Sequence, residues 1–259
     1  QYFFKRPERM VAGAVSPPRI DLANQDLLRA HLHALWLSES RLSLGSSLAE
    51  VLQVTGERPT LAPQAAVEEA LQDENARERA RRRAVLILES IRRELAAARW
   101  YGETWIDDVL HHIERSFNEA CERWRTLYRA ASAQVDAQHR IIQDASRPKE
   151  DRDRARRLRN EAEAQRDLLL EAQNVMEADF YSYRYFASEG FLPGYSFPRL
   201  PLSAYIPGRR ERTGRNEFVS RPRFLAISEF GPRAIVYHEG SRYRINKVML
   251  PLRGDSQDL

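Results

Sequence analysis

Apolar residues recur at helical spacing from residue 21 to about 178, and beyond that the pattern changes. In "DLANQDLLRAHLHALWLSES", Leu28, Leu32, Leu35 and Trp36 share one helix face, and Asp21 or Asn24 can cap it. "LGSSLAEVLQVTGERPTLAP" reads as a short helix between turns. Pro63 then suits the first turn of a longer helix running to about Arg99. The middle of that helix, "DENARERARRRA", reads as charged all round, and its end, "VLILESIRRELAAARW", as amphipathic. Residues 103–178 carry the clearest signal. Ile106, Leu110, Ile113, Phe117, Ala120, Trp124, Leu127 and Ala131 step by fours and threes, which is a coiled-coil seam. "DASRPKED" interrupts it, with Pro148 placed to start a new helix, and Leu158, Ala162, Leu169, Ala172 and Met176 continue the spacing on the way back. Two antiparallel helices joined by a tight turn follow, with a polar tip that projects into solvent or meets a partner.

From "FYSYRYFASEGFLPGYSFPRLPLSAYIPG" onward, aromatics become dense and Gly and Pro punctuate the chain. "RLPLSAYI", "RFLAISEF", "RAIVYHEG" and "SRYRINKVML" read as strands, and "YHEGSRYRI" as a hairpin turning at Gly240, with Tyr237, Tyr243 and Ile245 alternating about it. The expected fold is α+β and mainly α. It comprises an extended strap over 1–20, a helical region over 21–102, an antiparallel coiled-coil hairpin over 103–178, and a small basic β-rich module over 179–259 forming an antiparallel sheet or half-barrel. The strap follows from Pro7, Pro17 and Pro18, which break any helix there, while Tyr2, Phe3 and Phe4 can pin an extended chain to a surface.

Charge adds a second picture. The net charge is only +4, yet all but three of the 41 cations are Arg, the residue suited to bidentate phosphate contacts; Lys5, Lys149 and Lys247 are the exceptions. From Arg184 to Gly254 there are thirteen Arg or Lys against five acids, an excess of eight in a chain whose central helices are near neutral. Such a local excess is the footprint of a phosphate-binding surface. Arg199, Arg209, Arg210, Arg212, Arg215, Arg221 and Arg223 are the candidate nucleic-acid contacts; if the Gly208–Arg215 loop makes none, the excess acts through Arg221, Arg223, Arg242 and Arg244 on the strands, or through nothing. The arginines at 77, 79, 81, 82 and 83 are instead expected to pair with Asp73, Glu74 and Glu78 within helical reach.

Candidate catalytic groups are sparse. No Gly-rich loop ends in Lys-Ser or Lys-Thr, and there is no Gly-x-Ser-x-Gly, His-Glu-x-x-His or Cys-x-x-Cys. Glu229 and Glu239 read as two isolated carboxylates. His31 and His33, two apart, point to different sides of their helix; Asp108 and His112, four apart, lack a third metal ligand at helical spacing. Cys121, the single cysteine, reads as a small buried residue. No apolar run approaches a membrane span, so no membrane partner and a cytoplasmic location are expected.

"GRRERTGR", from Gly208 to Arg215, resembles the arginine-finger motif of superfamily 2 helicases at four of six fixed positions, with Gly208 and Glu211 as the departures. It reads as a phosphate-contacting loop, since a finger needs a nucleotide pocket. The two ends of the chain resemble a family more broadly. "QYFFKRPERMVAG", followed by Ile20, Asp21, Asn24, Leu27 or Leu28, His31, Leu32 and Ala34, is similar to the segment after the second motor lobe of large bacterial superfamily 2 helicases, the MrfA-like and DISARM DrmA-like group. "SEGFLPGYSFPRLPL" and "RFLAISEFGPRAIVYHEGSRYRI" resemble the domain near the C-terminus of the same proteins. The resemblance covers about the first 38 and last 75 residues, leaves out the coiled coil, and lacks both the ATPase lobes and the four-Cys zinc cluster of some members. It implies that Gln1 is internal to a longer protein. It also implies a fragment that binds nucleic acid, with DNA the expected form, or docks on the motor lobes of a repair or antiphage translocase. ATP and Mg would belong to those lobes, and no cofactor is expected in this chain. The alternative is a coiled-coil scaffold that recruits a partner subunit at its tip.

Overall fold

The computed structural model describes residues 21–56, 58–170, 181–194, 202–206 and 217–248. Asn24 starts the first helix, α1 (Gln25–Ser40): its side-chain oxygen accepts from the Leu27 N–H at 3.0 Å, satisfying a donor that the first turn leaves open. Ala30, Leu32, His33, Trp36 and Leu37 form the buried face of α1, and Arg41 closes it in the left-handed conformation, φ 56°. The segment that follows makes one turn of 3-10 helix, Leu48–Glu50, and buries Leu44, Leu48, Val51, Leu52 and Leu61.

The long helix expected from Pro63 to Arg99 is three helices: α2 (Ala65–Gln72), α3 (Glu74–Glu89) and α4 (Arg92–Ala96). Asp73 makes the first break. Its backbone is extended, φ −70° and ψ 96°, and its carboxylate accepts from the Asn75 and Ala76 N–H groups at 2.9 and 3.1 Å, so it caps a new helix instead of continuing the old one. Nor is the middle of this stretch charged all round. Ala76, Ala80, Ala84 and Leu88, four apart, form a narrow buried stripe on which α1 packs closely. Val85, Leu86 and Ile87 fall outside that stripe and are exposed.

Two further helices, α5 (Trp105–His111) and α6 (Ile113–Gln143), carry the seam. Ile106, Leu110, Ile113, Phe117, Ala120, Trp124 and Ala131 are buried as the spacing requires, and Leu127 is half-buried. His112 only dents the helix, since its N–H still reaches the Asp108 carbonyl at 3.1 Å and its carbonyl still accepts from Ser116 at 3.0 Å. α7 (Lys149–Leu170) returns antiparallel along α6, beginning just after Pro148, whose carbonyl accepts from Arg152. Ala155, Ala162 and Leu169, seven apart, are its buried positions, and small alanines at two of the three let the helices approach closely. Leu158 is half-buried, while Ala172 and Met176 lie outside the described residues. Arg125 is buried on α6 and ties the hairpin to the earlier loop. Its Nε donates to the Leu61 carbonyl at 2.9 Å and its Nη2 to Asn118 Oδ1 at 2.8 Å.

The head of the expected β-rich module packs with the helices. α8 (Ser182–Ser188) and the turn after it bury Tyr185, Phe186, Phe191 and Leu192 in the same core as Trp36, Phe117 and Trp124. The Tyr185 hydroxyl enters a rung of α6, donating to the Ala120 carbonyl at 2.8 Å and accepting from the Trp124 N–H at 2.9 Å.

The remaining elements are β1 (Leu202–Ile206), β2 (Glu217–Arg221), α9 (Arg223–Glu229), β3 (Ile235–His238) and β4 (Ser241–Arg244). The chain is therefore α+β and mainly α. Its β part is two separate antiparallel pairs, β1–β2 and β3–β4, where one sheet or half-barrel was expected. "RFLAISEF" is the helix α9 instead of a strand: the Pro222 carbonyl accepts from the Leu225 and Ala226 N–H groups, and Ala226 is its buried residue. The strand "EFVSR", pairing Ala204 with Val219, has no counterpart in the sequence-based expectation. No helix among the described residues is long and apolar enough to cross a membrane.

Candidate nucleic-acid interface

Two sets of arginines, those of α3 and those of the β3–β4 hairpin, differ in their surroundings. On α3 every one has an acid. Arg77 meets Glu74 at 2.6 Å, Arg79 meets Glu39 and Asp73 at 3.5 and 3.7 Å, Arg81 meets Asp107 at 2.6 Å, Arg82 meets Glu78 at 2.8 Å, and Arg83 meets Glu39 at 2.7 Å. The expected partners Asp73, Glu74 and Glu78 take part, and Glu39 and Asp107 join from other helices. These contacts are at the surface and each contributes little stability, but together they neutralise the face.

On the β3–β4 hairpin the situation reverses. Glu239 and Gly240 both have positive φ, 46° and 71°, the pair of conformations a two-residue type I′ turn requires, and only Gly accepts the second without strain. The turn sets the register Val236↔Tyr243 and Tyr237↔Arg242, followed by Ile235↔Arg244. One face therefore carries Val236, which is buried, with half-buried Tyr243. The other carries Ile235, Tyr237, Arg242 and Arg244, all exposed. Tyr237 and Tyr243 thus face opposite ways rather than together. Arg233, Arg242 and Arg244 have no acid within 4.0 Å among the described residues, and Glu239 is the hairpin's own acid.

Of the candidate contacts, Arg199, Arg209, Arg210, Arg212 and Arg215 lie outside the described residues. Arg221 ends β2 and donates to Glu229 Oε2 at 2.7 Å, so Glu229 is an ion-pair partner and not an isolated carboxylate. Arg223 opens α9 and is half-buried. The charge excess read along the sequence is consequently not one continuous described patch: Arg221 is tied down, and among the described residues of this stretch the exposed arginines, Arg233, Arg242 and Arg244, lie at the last hairpin. The strand period alone could have given this, because the two-residue turn puts Tyr237 opposite Arg242.

A cleft of about 780 Å³ separates this module from the helical hairpin; Leu127, Gln165, Tyr205, Phe218, Phe230 and Tyr243 are among its walls. Lys247 bridges it by an ion pair to Glu161. Burial raises the Tyr205 phenol above its usual value, with the Glu161 charge adding to it. A second, almost wholly apolar groove of about 380 Å³ runs beside Leu22, Leu28, Leu35, Ile87 and Trp105.

The other titratable candidates have structural partners. His33 is buried, its Nδ1 donating to the Phe191 carbonyl at 3.0 Å, and desolvation lowers its pKa to about 4. Burial pushes the Cys121 thiol up to about 12, so it stays protonated. His112 Nδ1 lies 2.7 Å from the Asp108 carbonyl, while the Asp108 carboxylate accepts from Thr104. No group of three or more His, Cys, Asp or Glu able to hold a metal occurs among the described residues. Compared with protein-family models, with curated proteins and with solved structures, the chain matches none of them.

Proposed function

We propose that this chain is the helicase-associated C-terminal part of a larger ATP-dependent superfamily 2 translocase of DNA repair or antiphage defence, acting in the cytoplasm. Its own task is to bind nucleic acid, with DNA the expected form, or to dock onto the motor lobes. The motors, with their ATP and Mg, lie elsewhere in the parent, and this chain does not hydrolyse ATP by itself. The observation that carries the reading is the contrast between paired and unpaired arginines. Those of α3 are neutralised by neighbouring acids, whereas Arg233, Arg242 and Arg244 stand exposed on one small hairpin without an acid within 4.0 Å among the described residues. Cations left in this state displace the counterions condensed on a nucleic-acid strand when they meet its phosphates, which gives affinity without sequence preference. The paired motifs at the two ends of the chain supply the helicase context. A second reading, a scaffold that recruits a partner subunit at the helical-hairpin tip, draws on the exposure of residues 145–151. Titrating the purified chain with labelled single-stranded DNA at two salt concentrations tests the first reading. Binding that weakens steeply with salt is expected, and no binding at low salt overturns it.

A further inference from the structure

We infer that the outer face of the β3–β4 hairpin is a stacking platform for an unpaired DNA base, with Tyr237 beneath the base and Arg242 and Arg244 on the adjoining phosphates. This rests on the nucleic-acid reading above and gives it a site. Tyr237 is 73% exposed, on a hairpin whose opposite face carries the buried Val236. Burial does not account for the ring, because Val236 and Tyr243 supply the inward face. Its direct cross-strand neighbour is Arg242, and Arg244 lies two residues further along β4 on the same face, about 7 Å away. An exposed ring beside two exposed arginines of the paired strand, with no close acid among the described residues, presents a π-face and positive charge together.

That combination fits one class of ligand. A nucleotide strand offers a planar base to stack and a phosphate on either side. The base has to be unpaired, since both faces of a base within a duplex are occupied by its neighbours. Stacking on a ring is open to every base, since each has a π-face, so with the arginines on phosphates the platform holds any base. An acidic peptide would satisfy the arginines but leave the ring without a planar partner.

The test uses the whole chain and fluorescence anisotropy with a labelled dT 15-mer. Tyr237→Ala is expected to weaken binding about tenfold, with the salt slope unchanged because tyrosine displaces no counterion. Tyr237→Phe keeps wild-type affinity, since the ring and not the hydroxyl stacks. Arg242→Ala combined with Arg244→Ala lowers the slope of log affinity against log salt by about 1.4. A 15-mer of abasic sites binds wild type as weakly as the dT 15-mer binds Tyr237→Ala. Circular dichroism and thermal melting check that each variant is folded, and the exposure of these side chains makes folding defects unexpected. If wild type binds the dT 15-mer and Tyr237→Ala binds it equally well, the platform is wrong and the nucleic-acid reading survives. If wild type does not bind at low salt, both fall. Tighter binding of an rU 15-mer overturns DNA as the occupant, and tighter binding of an oligo-glutamate peptide overturns nucleic acid.

Discussion

His33 and Phe191, 158 positions apart in the chain, share a hydrogen bond and a ring stack: the His33 Nδ1 donates to the Phe191 carbonyl at 3.0 Å, and the two rings lie 4.5 Å apart at 21°. A carbonyl can only accept, so the proton sits on Nδ1. The other ring nitrogen, Nε2, is buried with no hydrogen-bond partner among the described residues, which makes protonation there costly. The pair joins two segments far apart in the chain, "RAHLHALW" and "SEGFLPG". Trp36 adds an edge-on contact to Phe191 at 6.5 Å.

This contact makes stability depend on pH. Burial lowers the His33 pKa from 6.5 to about 4 in the folded chain, so between these values the unfolded state binds more protons. Stability is fully present above about pH 6.5 and is lost as pH falls through about 4, by up to about 3 kcal/mol from this group. Urea midpoints at pH 7, 5.5 and 4.5 should decline in that order. His33→Gln should decline less over the same range, and an unchanged decline would assign the effect to other groups.

The Tyr185 hydroxyl on the Ala120–Trp124 rung predicts a second stability effect. Tyr185→Phe keeps the ring packed but removes a group that donates to one backbone atom and accepts from another. A loss of about 1–2 kcal/mol in urea unfolding is expected. Trp124→Ala should cost more, about 3–5 kcal/mol, because Trp124 is fully buried, stacks on Tyr128 and donates to the Leu169 carbonyl at 3.2 Å. Equal small losses for both would contradict this packing.

The helical hairpin makes a prediction of opposite kind. Trp124 meets Leu169, and His139 lies 3.3 Å from Arg159, a register that brings Ala131 to the level of Ala162. Both alanines are buried. Ala162→Leu adds volume where two backbones approach closely, and should destabilise by about 1–3 kcal/mol in thermal melts. A neutral or stabilising result would mean that the layer is loose. Leucine at exposed Arg157 serves as the control, with little expected change.

For Arg209, Arg210, Arg212 and Arg215 the expectation is carried by sequence. Changing all four to Ala should flatten the salt slope for single-stranded DNA by up to about three units, at about 0.7 per phosphate. Affinity should fall alike for unrelated sequences, since phosphate contacts do not read bases. A quadruple variant with the wild-type slope would leave the charge effect to the last hairpin, where the Arg242 and Arg244 variants are its measure.

Periodicity determined the helical hairpin, α6 and its return α7, but not the breaks in the stretch from Pro63 to Arg99. The fours and threes from Ile106 to Ala131 are buried in that order, Asn24 caps where its side chain can reach Leu27, and the Glu239–Gly240 turn lies where its backbone demands. These features are local or repeat over many turns, so the chain states them many times over. Short runs are different. "RFLAISEF" offers one apolar pattern to two periods, and its helix is decided by Pro222 and by burial of Ala226 against the rest of the molecule. Asp73 reads equally as one more charge on a long helix or as a cap, and packing of the alanine stripe on α1 selects the cap. Whether an arginine is available to a ligand is the most tertiary property of all. It turns on acids that arrive from other helices, as Glu39 and Asp107 do for α3, and on their absence from around Arg242 and Arg244 among the described residues. Composition counts such charges, but only the folded chain decides which of them are already taken.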